Sequence, residues 1–132
     1  MTPEYSIEDA PSLDVLIVPG GLGARTHARS DPAILDFIRR QKGFVASVCT
    51  GALILANAGL LEGLAVTSHH TAFDLLRESH LDVREEQRFI IHERVATSAG
   101  VSAGIDLALA LVTKWWGPSL SSAVAESLEW KT

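Results

Sequence analysis

At 132 residues, with 47% hydrophobic and 20% charged residues, the chain reads as one domain over 1–132, able to bury about two-thirds of its unfolded surface and too apolar to be disordered. A net charge of -5, with 11 basic residues scattered and only Arg39 and Arg40 adjacent, argues against nucleic acid as a partner. One cysteine excludes an internal disulfide framework and a multi-cysteine zinc site and makes a reducing, cytoplasmic interior the default. The polar, acidic opening residues are no signal peptide, and no apolar run approaches membrane-spanning length.

The first element is a buried strand over residues 13–18, ending in Pro19, Gly20 and Gly21, a turn whose glycines permit positive φ and bare amides. Asp31 reads as an N-cap with Pro32 at the first helical position, and Ile34, Leu35, Phe37 and Ile38 form the apolar face of a helix that Gly43 stops. Residues 44–48 are a second buried strand, and residues 50–58 have the Ala and Leu content of a helix, so Cys49 falls at the junction. A third short strand over 64–67 runs into Ser68, His69 and His70, with a helix over 71–79. Residues 89–91 and 95–97 read as a hairpin around His92, Glu93 and Arg94, and the charged run 84–88 before it as a solvated edge. Residues 100–113 are apolar over most of a helix circumference, which predicts a buried helix ended by Gly117 and Pro118, and a last helix covers 119–130.

Strands alternating with helices imply a three-layer α/β/α sandwich with a mainly parallel sheet, whose active site lies at the carboxyl ends of the strands. Three loops leave strands at that end: the Gly20 and Gly21 turn, the Cys49 junction, and the Ser68 to His70 loop. They can converge on one crevice.

Cys49 occupies the position of a nucleophile elbow, a strained strand-to-helix turn that closes only if the residues two before and two after are small; here they are Ser47 and Gly51. A helix beginning at Thr50 would aim amides and its positive dipole end at the sulfur, favouring the thiolate. The alternative is a buried structural cysteine. His69 and His70 are candidate proton carriers, of which only one should face Cys49 if neighbours on an extended chain diverge; two ordinary loop histidines are the alternative. The amides of Gly20, Gly21 and Thr50 could form an oxyanion hole, although tight turning explains a Pro-Gly-Gly sequence equally well. Residues 100–104 match the G-x-S-x-G pattern of serine hydrolases, but His27, His69, His70, His80 and His92 all precede Ser102, the wrong chain order. That stretch is therefore read as the close-packed start of a helix. No histidine pair has helical ligand spacing, so no metal site is expected.

Taken together, the stretches DVLIVPGG (14–21), SVCTGAL (47–53), AGLLEG (58–63), TSH (67–69) and TSAGVSAGID (97–106) resemble the ThiJ/PfpI superfamily, most closely its isonitrile hydratase-like members and the amidase-like domains of some transcription regulators. The resemblance implies a flavodoxin-like fold of the class I glutamine amidotransferase type. It makes Cys49 the nucleophile, puts His69 in the loop histidine position, and lets Thr50 hydrogen-bond near the sulfur or the intermediate. It also implies a homodimer without cofactor, acting on a small molecule. The activity implied is hydration of isonitriles to N-substituted formamides. Such proteins begin with a strand, helix and strand ahead of the point where this chain starts, with an acidic residue beside the cysteine. Glu4, Glu8 and Asp9 stand in a different context and are not assigned that role. The expectation is thus of an N-terminally truncated member with hydration impaired and an apolar sheet edge in need of a partner. Two alternatives stay open: a non-catalytic sensing or interaction domain, and a hydrolase, glyoxalase or deglycase using the same cysteine.

Overall fold

In the structure, a computed structural model that describes residues 1–131, the main sheet has four strands: β1 (Val15–Val18), β2 (Phe44–Ser47), β5 (Phe89–Ile91) and β6 (Val95–Ser98). Their order is β1-β2-β6-β5, with β1, β2 and β6 parallel and β5 antiparallel to β6. β2 and β6 are buried throughout, as expected for strands covered on both faces. Side chains alternate between two cores. Leu16, Val18, Val45 and Val95 meet Ile38 of α2 (Pro32–Arg39), the apolar face of α3 (Ala52–Asn57) and Leu76 of α4 (Phe73–Glu78). Val15, Phe44, Ala46 and Ala96 meet Leu107 and Leu111 of α5 (Ala103–Trp116) on the other side. The result is the expected three-layer α/β arrangement.

Several local expectations hold for identifiable reasons. The Asp31 carboxylate accepts from the Ala33 amide at 2.9 Å, with Pro32 in the first turn of α2; this cap satisfies one of the orphan donors at a helix start. The final helix, α6, spans Pro118–Ser127, and the Ser121 hydroxyl donates to the Leu109 carbonyl at 2.9 Å, fastening it to α5.

Three features differ from the sequence reading. The third strand, β3 (Ala65–Val66), lies outside the main sheet and pairs in parallel with β4 (Asp82–Val83), a strand with no sequence signature. The edge of β6 that it would need is occupied by β5. β3 is moored instead by the Thr67 amide, which donates to Thr97 Oγ1 at 3.0 Å, and by a 2.8 Å contact between His92 Nε2 and the Ala65 carbonyl. A short helix, α1 (Leu22–Thr26), follows the Gly21 turn directly. Finally, α5 is buried on one face only: Ala103, Leu107 and Leu111 face the sheet, whereas Ala108 and residues 113–116 are exposed. The sheet meets one face and α6 one flank, which leaves an apolar groove of about 350 Å³ between the two helices.

β1 forms one edge of the sheet, and its Ile17 is 52% exposed. Among the described residues, no helix is long and apolar enough to cross a membrane.

Candidate active site

At their carboxyl ends the strands change from apolar to hydroxyl-bearing. Ser47, Thr97 and Ser98, with Thr67 and Ser68 beyond β3, are all buried, so each needs a partner. Thr97 accepts the Thr67 amide; Ser98 Oγ donates to the Ser47 carbonyl at 3.3 Å, and Thr67 Oγ1 to the Gln87 carbonyl at 3.1 Å. Ser47 Oγ alone of these is buried with no partner. This polar belt surrounds the Cys49 junction.

Cys49 has φ 58°, the left-handed region, which costs an L-residue about 1–2 kcal/mol. The surroundings hold it there from three sides. Its amide donates to the Ala99 carbonyl at 3.1 Å, the loop after β6; its carbonyl accepts from Ser68 Oγ at 2.8 Å, the loop after β3; and the preceding Val48 amide donates to the Val18 carbonyl of β1 at 3.0 Å. The chain then turns through residues 49–51 into α3. A Cβ on Gly51 would land on the Val18 carbonyl oxygen, so the small residue two positions after the cysteine is dictated by backbone, which cannot move aside. The cysteine is free and half-buried.

The Gly20 and Gly21 turn meets the same junction. A Cβ on Gly20 would lie 2.5 Å from the Thr50 amide nitrogen and 2.6 Å from Thr50 Oγ1, which only glycine avoids. The Gly21 amide donates to Thr50 Oγ1 at 2.9 Å. Of the three amides named as candidate oxyanion donors, that of Gly21 is thus engaged by the threonine hydroxyl. The amides of Gly20 and Thr50 donate to no other group among the described residues.

His69 is half-buried and His70 exposed. His69 Nδ1 accepts from the Thr71 amide at 3.3 Å and lies 2.8 Å from Thr71 Oγ1, capping the turn over residues 70–72. With Nδ1 accepting, the neutral ring carries its proton on Nε2, so this histidine presents a donor rather than a base. The two rings do not diverge: their centroids lie 4.2 Å apart at a 37° tilt, because the chain bends into a 3-10 turn at His70. His69 rests against Gly100, where a Cβ would come within 2.8 Å of its ring.

The G-x-S-x-G stretch is a helix start, as its chain order implied. Gly100 makes room for His69; Gly104 makes room for Val48, whose Cγ1 would be 2.9 Å from an added Cβ. Ser102 has φ -69° and its hydroxyl accepts from Arg88 Nη2 at 3.3 Å. Arg88 also donates to Asp106 Oδ2 through Nε at 2.7 Å, and the indole of Trp130 donates to Asp106 Oδ1 at 3.0 Å. The Trp130 hydrogen bond, then those of Arg88, hold the Asp106 carboxyl below the usual carboxylate range. Sequence reasoning missed this network and the Ser68 clamp. Both are ties between residues 14 or more apart in the chain, although Ser68 and Asp106 stand inside the motif stretches.

Residues 1–114 match the DJ-1/PfpI family. The chain belongs to this family. Among curated relatives it is 38% identical to an isonitrile hydratase of Pseudomonas putida, over 98% of this chain and 58% of that protein. It is 34% identical to the HTH-type transcriptional regulator GbdR of Pseudomonas aeruginosa, over 96% of this chain and 35% of the regulator. The chain thus spans just over half of the first relative and about a third of the second. Among solved structures, a ThiJ/PfpI family protein from Pseudomonas syringae superposes with a TM-score of 0.89 at 31% identity, covering 100% of this chain and 56% of that one.

Proposed function

We propose that the chain carries the thiol site of a cysteine-dependent isonitrile hydratase. The observation that supports it most is the left-handed backbone at Cys49, a strained conformation held by the loops after β3 and β6 and, through Val48, by the end of β1; strain of this kind is characteristic of nucleophile elbows. The similarity to the Pseudomonas putida isonitrile hydratase supplies the reaction class. In this reading the Cys49 thiolate forms a bond from sulfur to the terminal isonitrile carbon, and that carbon takes a proton to give a thioimidate. Water then adds to the same carbon, the bond to sulfur breaks, the nitrogen is protonated, and an N-substituted formamide leaves. His69 serves as the Nε2 proton donor, and the free amides of Gly20 and Thr50 are available to the charge that develops as water adds. Thr50 also holds the Gly21 turn in place. The substrate is a small isonitrile, no cofactor is used, and the working form is a homodimer.

The test is formamide production from cyclohexyl isonitrile by wild type and Cys49→Ala. Loss of at least about a thousandfold is expected for removal of a covalent nucleophile; equal rates would remove Cys49 from the mechanism. Sedimentation showing a monomer at working concentrations would remove the homodimer alone.

A second reading, a sensing domain without turnover, is favoured by the 34% identity with GbdR across nearly the whole chain. It predicts no formamide from the wild type. A thiol that titrates like free cysteine towards an alkylating reagent would count against both readings.

A further inference from the structure

The groove beside His69, of about 600 Å³, has a charged group built into its wall. Arg88 reaches it from the segment before β5, with a side chain 56% exposed. Its backbone is tied directly to the elbow through Ala99, whose amide donates to the Arg88 carbonyl at 2.8 Å and whose carbonyl accepts the Cys49 amide at 3.1 Å. The guanidinium is held by its own supports: Nε and Nη2 each lie 2.7 Å from Asp106 Oδ2, Nη2 reaches Ser102 Oγ, and Trp130 fixes the other Asp106 oxygen. Nη1 donates to none of the described residues. An arginine oriented in this way loses little side-chain freedom when it engages a ligand, and its fork suits a carboxylate. The facing carboxylate in the groove, Glu85, is occupied by Arg77 at 2.8 Å. Phe73, Val101 and Ile105 supply apolar wall, and Val101 is 81% exposed, a surface that covering by a ligand would stabilise.

The geometry points to Arg88 as a subsite for a carboxylate, so that the substrate is an amphipathic isonitrile with an apolar body along Val101 and Ile105 and an anionic end on the free Nη1. This deepens the proposed hydration and rests on it for the reactive end of the molecule. The carboxylate shares the guanidinium with Asp106, which moderates the gain without abolishing it.

The experiment pairs an acid with its methyl ester in two arms. In the first, 4-isocyanobenzoate and its methyl ester are compared as substrates of the wild type; the acid should show a KM lower by at least about fivefold, the effect of one partly exposed charge-assisted hydrogen bond. In the second, 4-formamidobenzoate and its ester are bound to Cys49→Ala by calorimetry, which needs no turnover, and the same preference is expected. Arg88→Met should bring the ratio of acid to ester to about one, with a melting curve confirming that the variant is folded. Equal binding of acid and ester to Cys49→Ala overturns the subsite, as does a preference that Arg88→Met leaves intact. A preference in binding with no turnover of either isonitrile would uphold the subsite and overturn the hydration instead.

Discussion

Two strand-to-helix junctions stand beside each other at the same end of the sheet, after the adjacent strands β2 and β6. Both are short, small-residue sequences ending in glycine: Ser47 to Gly51 in one, Gly100 to Gly104 in the other. Their backbones differ. Cys49 takes φ 58° and is fixed by neutral hydrogen bonds from two loops and, through Val48, from β1, whereas Ser102 takes an ordinary helical φ of -69° and is fixed through the charges of Arg88 and Asp106. The glycines differ too, since Gly51 faces a carbonyl oxygen and Gly104 faces a valine side chain. The two junctions therefore differ in what approaches their glycines and in the sign of φ at their centres, not in the spacing of their small residues.

The contrast can be broken most forcefully at Gly51. Gly51→Ala places a methyl group on the Val18 carbonyl, and overpacking against backbone should cost about 3 kcal/mol; urea unfolding showing a loss under about 1 kcal/mol would mean that the junction is not closed against β1. Gly104→Ala meets only the end of Val48. Helix propensity recovers about 1 kcal/mol of the packing loss there, so a net cost of about 1 kcal/mol is expected from the same measurement.

Acid distinguishes the junctions by their charges. The Asp106 carboxyl is held below its ordinary range by Trp130 and then Arg88, so its contribution is complete above the unfolded value of about 4 and is lost as pH falls through the folded value. Asp106→Asn should cost up to about 1 kcal/mol at pH 7 for a half-exposed partner and flatten the acid limb of stability against pH; an unchanged limb would detach Asp106 from the network. The smallest effect is assigned to Ser102→Ala. Formamide production should stay within about twofold of wild type and stability within about 0.5 kcal/mol, and a large loss of turnover would make the second junction part of the chemistry.

What could be read in advance follows from the range of each interaction. β1 is an unbroken apolar run and β2 one up to its final Ser47, Asp31 and Pro32 cap α2 locally, and the hairpin of β5 and β6 has its polar triplet between its strands; each carries its signal within a few residues. The Cys49 junction was legible from Gly51, the small residue that the approach of the Val18 carbonyl of β1 requires. β4 was not, being two residues long, and β3 left the sheet because an antiparallel strand took the place beside β6. The commitment of Gly21 to Thr50, the Ser68 clamp and the Arg88 network join residues 14 to 29 apart, and nothing local announces them. The exposure of α5 was misread because composition reports how apolar a helix is and not how much of it a neighbour covers.

The backbone at position 49 tolerates a side chain only under strain. Glycine adopts φ 58° without that penalty, so Cys49→Gly would relieve about 1 kcal/mol. In a randomised library screened for folding alone, glycine should enrich at this position; in one screened for formamide, cysteine should persist. Drift at a single codon would therefore report whether a lineage still uses the thiol.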